Sequence, residues 1–83
     1  MSEWTDRLAE DLGVTPIDPT QERSLLKASR EIAHRVERKD TPLTTYLIGV
    51  AVGAASTSGT DSAAALNAAL DAVIAALPPE SGL

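Results

Sequence analysis

The sequence predicts an all-α fold, a small antiparallel bundle of four helices, and two observations carry this prediction. Apolar residues recur at spacings of three and four along most of the chain, as they do on one face of a helix. Helix-start signals and glycine or proline stops divide the chain into segments of helical length. We therefore predict a single domain with helices over residues 3–12, 19–38, 42–56 and 61–77, and a frayed tail over residues 78–83.

The first predicted helix is short and carries a narrow apolar stripe. Ser2 is its predicted N-cap, because a serine hydroxyl accepts a hydrogen bond from an unpaired amide of the first turn. Trp4, Leu8 and Leu12 follow at a spacing of four, and we expect Trp4 to lie in the core. Gly13 ends the helix, since glycine adopts the left-handed conformation at little cost.

The second predicted helix opens with the clearest start signal in the chain. Asp18 is the N-cap, Pro19 takes the first helical position, and Gln21 completes a capping box. We expect this helix to run to Arg38 as one continuous edge of basic residues opposite a buried stripe. The basic residues are Arg23, Lys27, Arg30, His34 and Arg38.

The third predicted helix has Thr41 as its N-cap and Pro42 as its first residue. From Tyr46 onward it is apolar on all sides, which predicts a helix enclosed by its neighbours, with Tyr46 in the core. Gly49 and Gly53 lie four residues apart and predict close helix packing, because each glycine in a helix interior costs nearly 1 kcal/mol. The approaching backbone belongs either to the alanine-rich fourth helix or to a second chain.

The fourth predicted helix follows a turn over residues 56–60 and is capped by Thr60 or Asp61. Its stripe of large apolar side chains consists of Leu66, Leu70, Val73, Ile74 and Leu77. A core of this size predicts a net stability of only a few kcal/mol. A protein partner or a homodimer that covers exposed apolar surface is therefore compatible with the sequence.

Charge and composition exclude several classes of function. The 83 residues contain no cysteine and one histidine, so we expect no disulfide, no metal site and no cofactor. The net charge of −5 disfavours binding to nucleic acid or to an anionic membrane. The longest apolar stretch has ten residues, against about 20 for a membrane span, and the start lacks a secretory signal. We expect a cytoplasmic protein.

Charge is unevenly distributed, and this points to a candidate site. Residues 20–40 carry a net charge of +2, whereas the rest of the chain carries −7. Cations at the end of the second helix and hydroxyls at the start of the third are suited to bind an anion or an acidic partner. The alternative is a solvated face on which Glu31 and Glu37 pair with the arginines. The candidate residues are Arg30, His34, Arg38, Thr41, Thr44 and Thr45.

The segment from residue 28 to residue 55 resembles a known family. The family is a small helical domain of unknown function, widespread in actinobacteria, which is free-standing or appended to molybdenum cofactor guanylyltransferases. The residues that carry the resemblance are Arg30, His34, Glu37, Arg38, Pro42, Leu43, Gly49 and Gly53. The resemblance implies a role linked to synthesis of the molybdopterin guanine dinucleotide cofactor.

Two functions follow as hypotheses. The first is a non-catalytic helical accessory module that binds a protein partner, for which the resemblance implies a molybdenum cofactor guanylyltransferase. The second is a small module that binds an anion or nucleotide at the junction of the second and third helices. No catalytic constellation is recognisable, because His34 lacks a second positioned group with which to share acid–base work. We therefore predict that the chain is not an enzyme.

Overall fold

Four α-helices make up the secondary structure of the computed structural model, which describes residues 2–79. The fold class predicted from the sequence, a small all-α bundle, is confirmed. The predicted tail over residues 78–83 lies mostly outside the described residues. The helices are α1 (Glu3–Leu12), α2 (Pro19–Arg35), α3 (Asp40–Thr57) and α4 (Ser62–Ala76).

The predicted caps of α1 and α2 are confirmed. The hydroxyl of Ser2 accepts a hydrogen bond from the amide of Thr5 at 3.1 Å. At α2, the amide of Gln21 donates to Asp18 Oδ1 at 2.8 Å, and the amide of Asp18 donates to Gln21 Oε1 at 3.0 Å. Gly13 has a φ of 70°, so it adopts the predicted left-handed conformation and ends α1. Local sequence therefore sets both ends of α1 and the start of α2.

We expect Asp18→Ala to lower the free energy of unfolding by about 1 kcal/mol, because the amide of Gln21 loses its acceptor. Urea denaturation followed by far-ultraviolet circular dichroism measures the change. Asp18→Asn is expected to keep the parent's stability, since asparagine caps as well as aspartate. Asp71→Ala, at an exposed position of α4, controls for loss of a carboxylate. An Asp18→Ala variant that unfolds at the parent's midpoint would contradict the capping role.

The predicted boundary between the second and third helices is wrong. α2 ends at Arg35, not at Arg38, and α3 begins at Asp40. Thr41 is therefore not an N-cap, and Pro42 is the third residue of α3, not the first. The chain turns because the amides of Asp40 and Thr41 donate to the carbonyls of Glu37 and Arg38 at 3.0 and 3.1 Å. This turn changes the direction of the chain, so that α3 packs against α2 and α4. No glycine or proline marks the turn in the sequence.

The core lies where α2, α3 and α4 meet. α3 packs most extensively against α4, and α2 packs against both. Ile32 of α2 is the largest fully buried side chain among the described residues, with 1% of its surface exposed. The central cluster of buried side chains consists of Ala28, Ile48, Leu66 and Leu70.

α1 lies outside this three-helix core. No Cα atom of α1 comes within 8 Å of a Cα atom of α2, α3 or α4. Ala9 is buried, and its carbonyl accepts a hydrogen bond from the amide of Val14 in the connector that follows. Trp4 is 68% exposed, so its predicted place in the core is wrong. Leu12, which belongs to the same predicted stripe, is 66% exposed, so most of the stripe faces solvent.

The prediction that α3 is enclosed by its neighbours is also wrong. Tyr46 is 71% exposed, and Leu43, Leu47 and Val50 each expose more than half of their surface. The reason is that α2 and α4 cover one side of α3, while α1 does not reach the other side. An apolar sequence on all sides of a helix therefore produces here a helix with one buried and one exposed apolar face.

No helix among residues 2–79 combines the length and the hydropathy needed to cross a membrane.

Candidate functional site

A stripe of basic side chains runs along the solvent side of α2. Successive spacings of four, three and four place these side chains within an arc of about 60° around the helix axis. All of them are exposed. We call this stripe the basic edge; it consists of Arg23, Lys27, Arg30 and His34.

Two acids close in sequence to the basic edge, Glu31 and Glu37, are paired with other cations. Glu31 Oε1 lies 3.1 Å from Arg35 Nη1, and Glu37 Oε2 lies 3.3 Å from Lys39 Nζ. Among residues 2–79, neither Arg30 nor His34 has an ion pair or a hydrogen-bonded side-chain partner. The pairing of Glu31 and Glu37 with the predicted site arginines therefore does not form, and the basic edge keeps its uncompensated charge.

Arg38 does not continue the basic edge. Because α2 ends at Arg35, Arg38 lies in the turn between α2 and α3, where it is exposed. Arg30 and His34 thus stay together, one turn apart on the helix, while Arg38 points to solvent from a different backbone conformation. The continuous edge predicted as far as Arg38 is shorter in the structure.

The three threonines of the predicted site lie in the first two turns of α3, with Asp40 as its first residue. Thr45 Oγ1 donates to the carbonyl of Pro42 at 2.9 Å, and Thr44 is half-buried. The hydroxyl oxygen of Thr41 is buried and has no hydrogen-bond partner among the described residues. Because Asp40 places a negative charge in the first turn of α3, where it would repel an anion, this geometry lends the anion-binding hypothesis no support. The hypothesis stays a prediction.

Arg35 has a structural role that sequence reasoning missed. Its Nε donates to the carbonyl of Pro78 at 2.9 Å, and its Nη1 bonds to Glu31. The guanidinium therefore fastens the segment after α4 to the end of α2. The spacing of four between Glu31 and Arg35 indicates the ion pair in the sequence. The contact with Pro78 depends on tertiary structure and leaves no such signal.

Gly49 and Gly53 line one side of an open groove, not a helix contact. A Cβ atom placed on either glycine would meet nothing within 4 Å beyond its own helix and chain neighbours. Within the described chain, therefore, no backbone lies against them, and the close approach predicted for α4 is absent. The groove has a volume of about 920 Å³ and lies between the α1–α2 connector, α3 and the start of α4. Its apolar lining includes Leu25, Ile48, Val52 and Leu66.

Over residues 2–79, no three histidine, aspartate or glutamate side chains converge in a way that would hold a metal ion. The described surface thus offers an exposed cationic helix edge and an exposed apolar helix face.

The chain belongs to the family described as "Domain of unknown function (DUF6457)", which matches residues 1–81. Comparison with curated proteins and comparison with solved structures give no match. Family membership confirms the resemblance as far as a small domain of unknown function. The link with molybdenum cofactor guanylyltransferases that the resemblance implies stays a prediction.

Proposed function

We propose that this chain is a non-catalytic helical accessory module that binds an acidic surface of a partner protein through the basic edge of α2. The observation that carries the proposal is the uncompensated charge of this edge. Glu31 and Glu37, two acids close to it in sequence, are engaged by Arg35 and Lys39. A partner that supplies carboxylates at the basic edge would gain ion pairs without first breaking any.

The partner that we propose is a molybdenum cofactor guanylyltransferase. Support comes from the resemblance of residues 28–55 to a domain that is appended to such enzymes, and Arg30 and His34 are among the residues that carry it. A domain that is fused to the enzyme in some proteins and is a separate chain in others is suited to bind that enzyme as an accessory protein. The proposal assigns this chain no step of the nucleotidyl transfer.

Binding of the immobilised protein to a purified molybdenum cofactor guanylyltransferase tests this proposal. We expect the triple variant Lys27→Ala, Arg30→Ala, His34→Ala to bind at least about tenfold more weakly, because three exposed side chains of the basic edge are lost together. Binding by the parent is expected to weaken as salt is added, since exposed charges are screened. Arg7→Ala, which removes an exposed cation of α1, is the matched control and is expected to bind like the parent.

Two results would count against the proposal in different ways. If the triple variant binds as tightly as the parent, the basic edge is not the interface. If the parent itself does not bind the guanylyltransferase, the proposed partner is wrong. Circular dichroism of each variant separates lost binding from lost folding, and all four substituted side chains are exposed in the structure.

A further inference from the structure

The exposed face of α3 carries a seam of residues with the spacing of a coiled coil. Successive steps along it are three, four, three and four residues, the pattern by which two helices pack side by side. Every residue of the seam is exposed, and the Thr57 hydroxyl is already bonded to the carbonyl of Gly53 at 3.0 Å. We call it the α3 seam; it consists of Leu43, Tyr46, Val50, Gly53 and Thr57.

We infer that the α3 seam is the interface of an antiparallel homodimer, in which α3 packs against α3 of a second copy of this chain. The seam and the basic edge lie on different helices. The inference therefore goes beyond the proposed function and does not depend on it. Three observations favour a second copy as the occupant: the charge of the seam, the amount of surface the chain leaves exposed, and the order of large and small residues along the seam.

The absence of charge on the α3 seam favours a partner surface that is also uncharged. Residues 41–60 contain no charged side chain, although 23% of the whole chain is charged. A charged partner would lose hydration against this surface and find no opposite charge. The same face of a second copy is equally uncharged and apolar, so the two faces match without any unpaired charge.

The chain exposes more surface than a folded monomer of its size. Its accessible surface is 6106 Å², whereas a monomeric protein of this mass is expected to expose about 4,700 Å². The radius of gyration is 13.5 Å, against about 12 Å expected for a compact chain of this length. An interface of standard size covers about 800 Å² on each partner. The excess surface is therefore more than a dimer interface requires.

The order of residue sizes along the seam favours the antiparallel orientation. The first half of the seam has large side chains, Leu43 and Tyr46, and the second half has small ones, Gly53 and Thr57. A two-fold axis near Val50 brings each Tyr46 opposite Gly53 of the second copy, where a Cβ atom would meet nothing within 4 Å. The phenol ring thus packs into the space that the glycine leaves, and large residues meet small ones on both sides of the axis.

Electrostatics favours the same orientation. Parallel packing would place the two Asp40 carboxylates at the same end of the helix pair, where like charges repel. Antiparallel packing separates them by about the length of α3, roughly 27 Å for 18 residues. It also places the N-terminal end of each helix dipole beside the C-terminal end of the other.

Sedimentation equilibrium of the full chain over a wide range of concentrations tests the inference. We expect the parent to approach twice its 8.6 kDa mass as concentration rises. Val50→Asp is expected to weaken dimerisation at least about a hundredfold, because two carboxylates would be desolvated together at the two-fold axis. Leu26→Asp is the matched control, since Leu26 and Val50 both lie inside helices and are similarly exposed, at 51% and 52%. It is expected to dimerise like the parent.

A second variant keeps the test decisive if Val50→Asp fails to fold. Tyr46→Ala removes the largest side chain of the seam from an exposed position, and alanine is the better helix former. We expect it to remain helical and to shift the equilibrium towards monomer. A parent that stays monomeric at every concentration would overturn the inference. So would a dimer that neither Val50→Asp nor Tyr46→Ala weakens, because its interface would then lie elsewhere.

Single-cysteine variants determine the orientation, since the parent has no cysteine. A disulfide requires Cα atoms within about 7 Å of each other. In the antiparallel dimer, of the three positions only position 50 lies opposite the same position of the second copy. Val50→Cys is therefore expected to cross-link under mild oxidation. Leu43→Cys and Thr57→Cys are expected to stay uncross-linked. Equal cross-linking of all three variants would establish a parallel pair and overturn the antiparallel arrangement.

Discussion

Ile32→Ala is expected to leave the protein largely unfolded at room temperature. Ile32 is 1% exposed and is the largest fully buried side chain among residues 2–79. Replacing a buried isoleucine with alanine costs about 2–5 kcal/mol, through lost burial and the cavity that remains. For a core of this size the sequence predicts a net unfolding free energy of only a few kcal/mol. The substitution therefore removes a large fraction of the stability.

Ile74→Ala is the matched control for Ile32→Ala. The same atoms are removed from a helix in both variants, so the gain in helix propensity is the same. Ile74 is 39% exposed, and we expect its replacement to cost no more than about 1 kcal/mol. Urea denaturation followed by far-ultraviolet circular dichroism measures both changes. If the two variants lose equal stability, Ile32 is not the centre of the packing between α2 and its neighbours.

Leu66→Asn is expected to be at least as destabilising as Ile32→Ala. Leu66 is 8% exposed and belongs to the cluster formed by α2, α3 and α4. The substitution removes a buried apolar side chain and places an amide where apolar neighbours offer it no hydrogen bond. The lost burial costs about 2–3 kcal/mol, and the unsatisfied amide adds about 1–3 kcal/mol. We expect the helical circular dichroism signal to collapse.

Leu26→Asn isolates the effect of burial in that comparison. Leu26 lies inside α2 and is 51% exposed, so both substitutions carry the same loss of helix propensity. We expect Leu26→Asn to keep the helical signal and to lose about 1 kcal/mol or less in a urea titration. A folded Leu66→Asn protein with the stability of Leu26→Asn would show that the cluster tolerates a polar group, contrary to the observed burial.

Local rules in the sequence predict the helices well and the tertiary placement less well. Asp18 and Gln21 form the capping box that their spacing indicates, because a cap depends only on residues within one turn. The end of α2 at Arg35 follows from the return of α3, which involves residues distant in sequence. For the same reason the exposure of Trp4 and Tyr46 was not predictable. Aromatic residues on an apolar stripe face the core only if another element covers them.

The same difference between local and tertiary features applies to the candidate site. Arg30 and His34 share one edge of α2 as predicted, since their spacing of four alone determines it. Arg38 leaves that edge because the helix ends before it. The choice of cation for Glu31 was open in the sequence, and the structure resolves it in favour of Arg35. The tertiary bond from Arg35 to Pro78 holds that side chain in place.

The separation of α1 from the three-helix core divides the molecule into two units of different local stability. Amide protons of α2, α3 and α4 are protected by shared burial, and their exchange with solvent requires opening of the whole core. α1 is attached mainly through the connector at Ala9 and Val14, so it opens without disturbing the other helices. We therefore expect hydrogen exchange to show a fast group over residues 3–12 and a slow group at Ile32, Ile48 and Leu66. Residues 3–12 thus behave as an independent unit of unfolding on an otherwise cooperative domain.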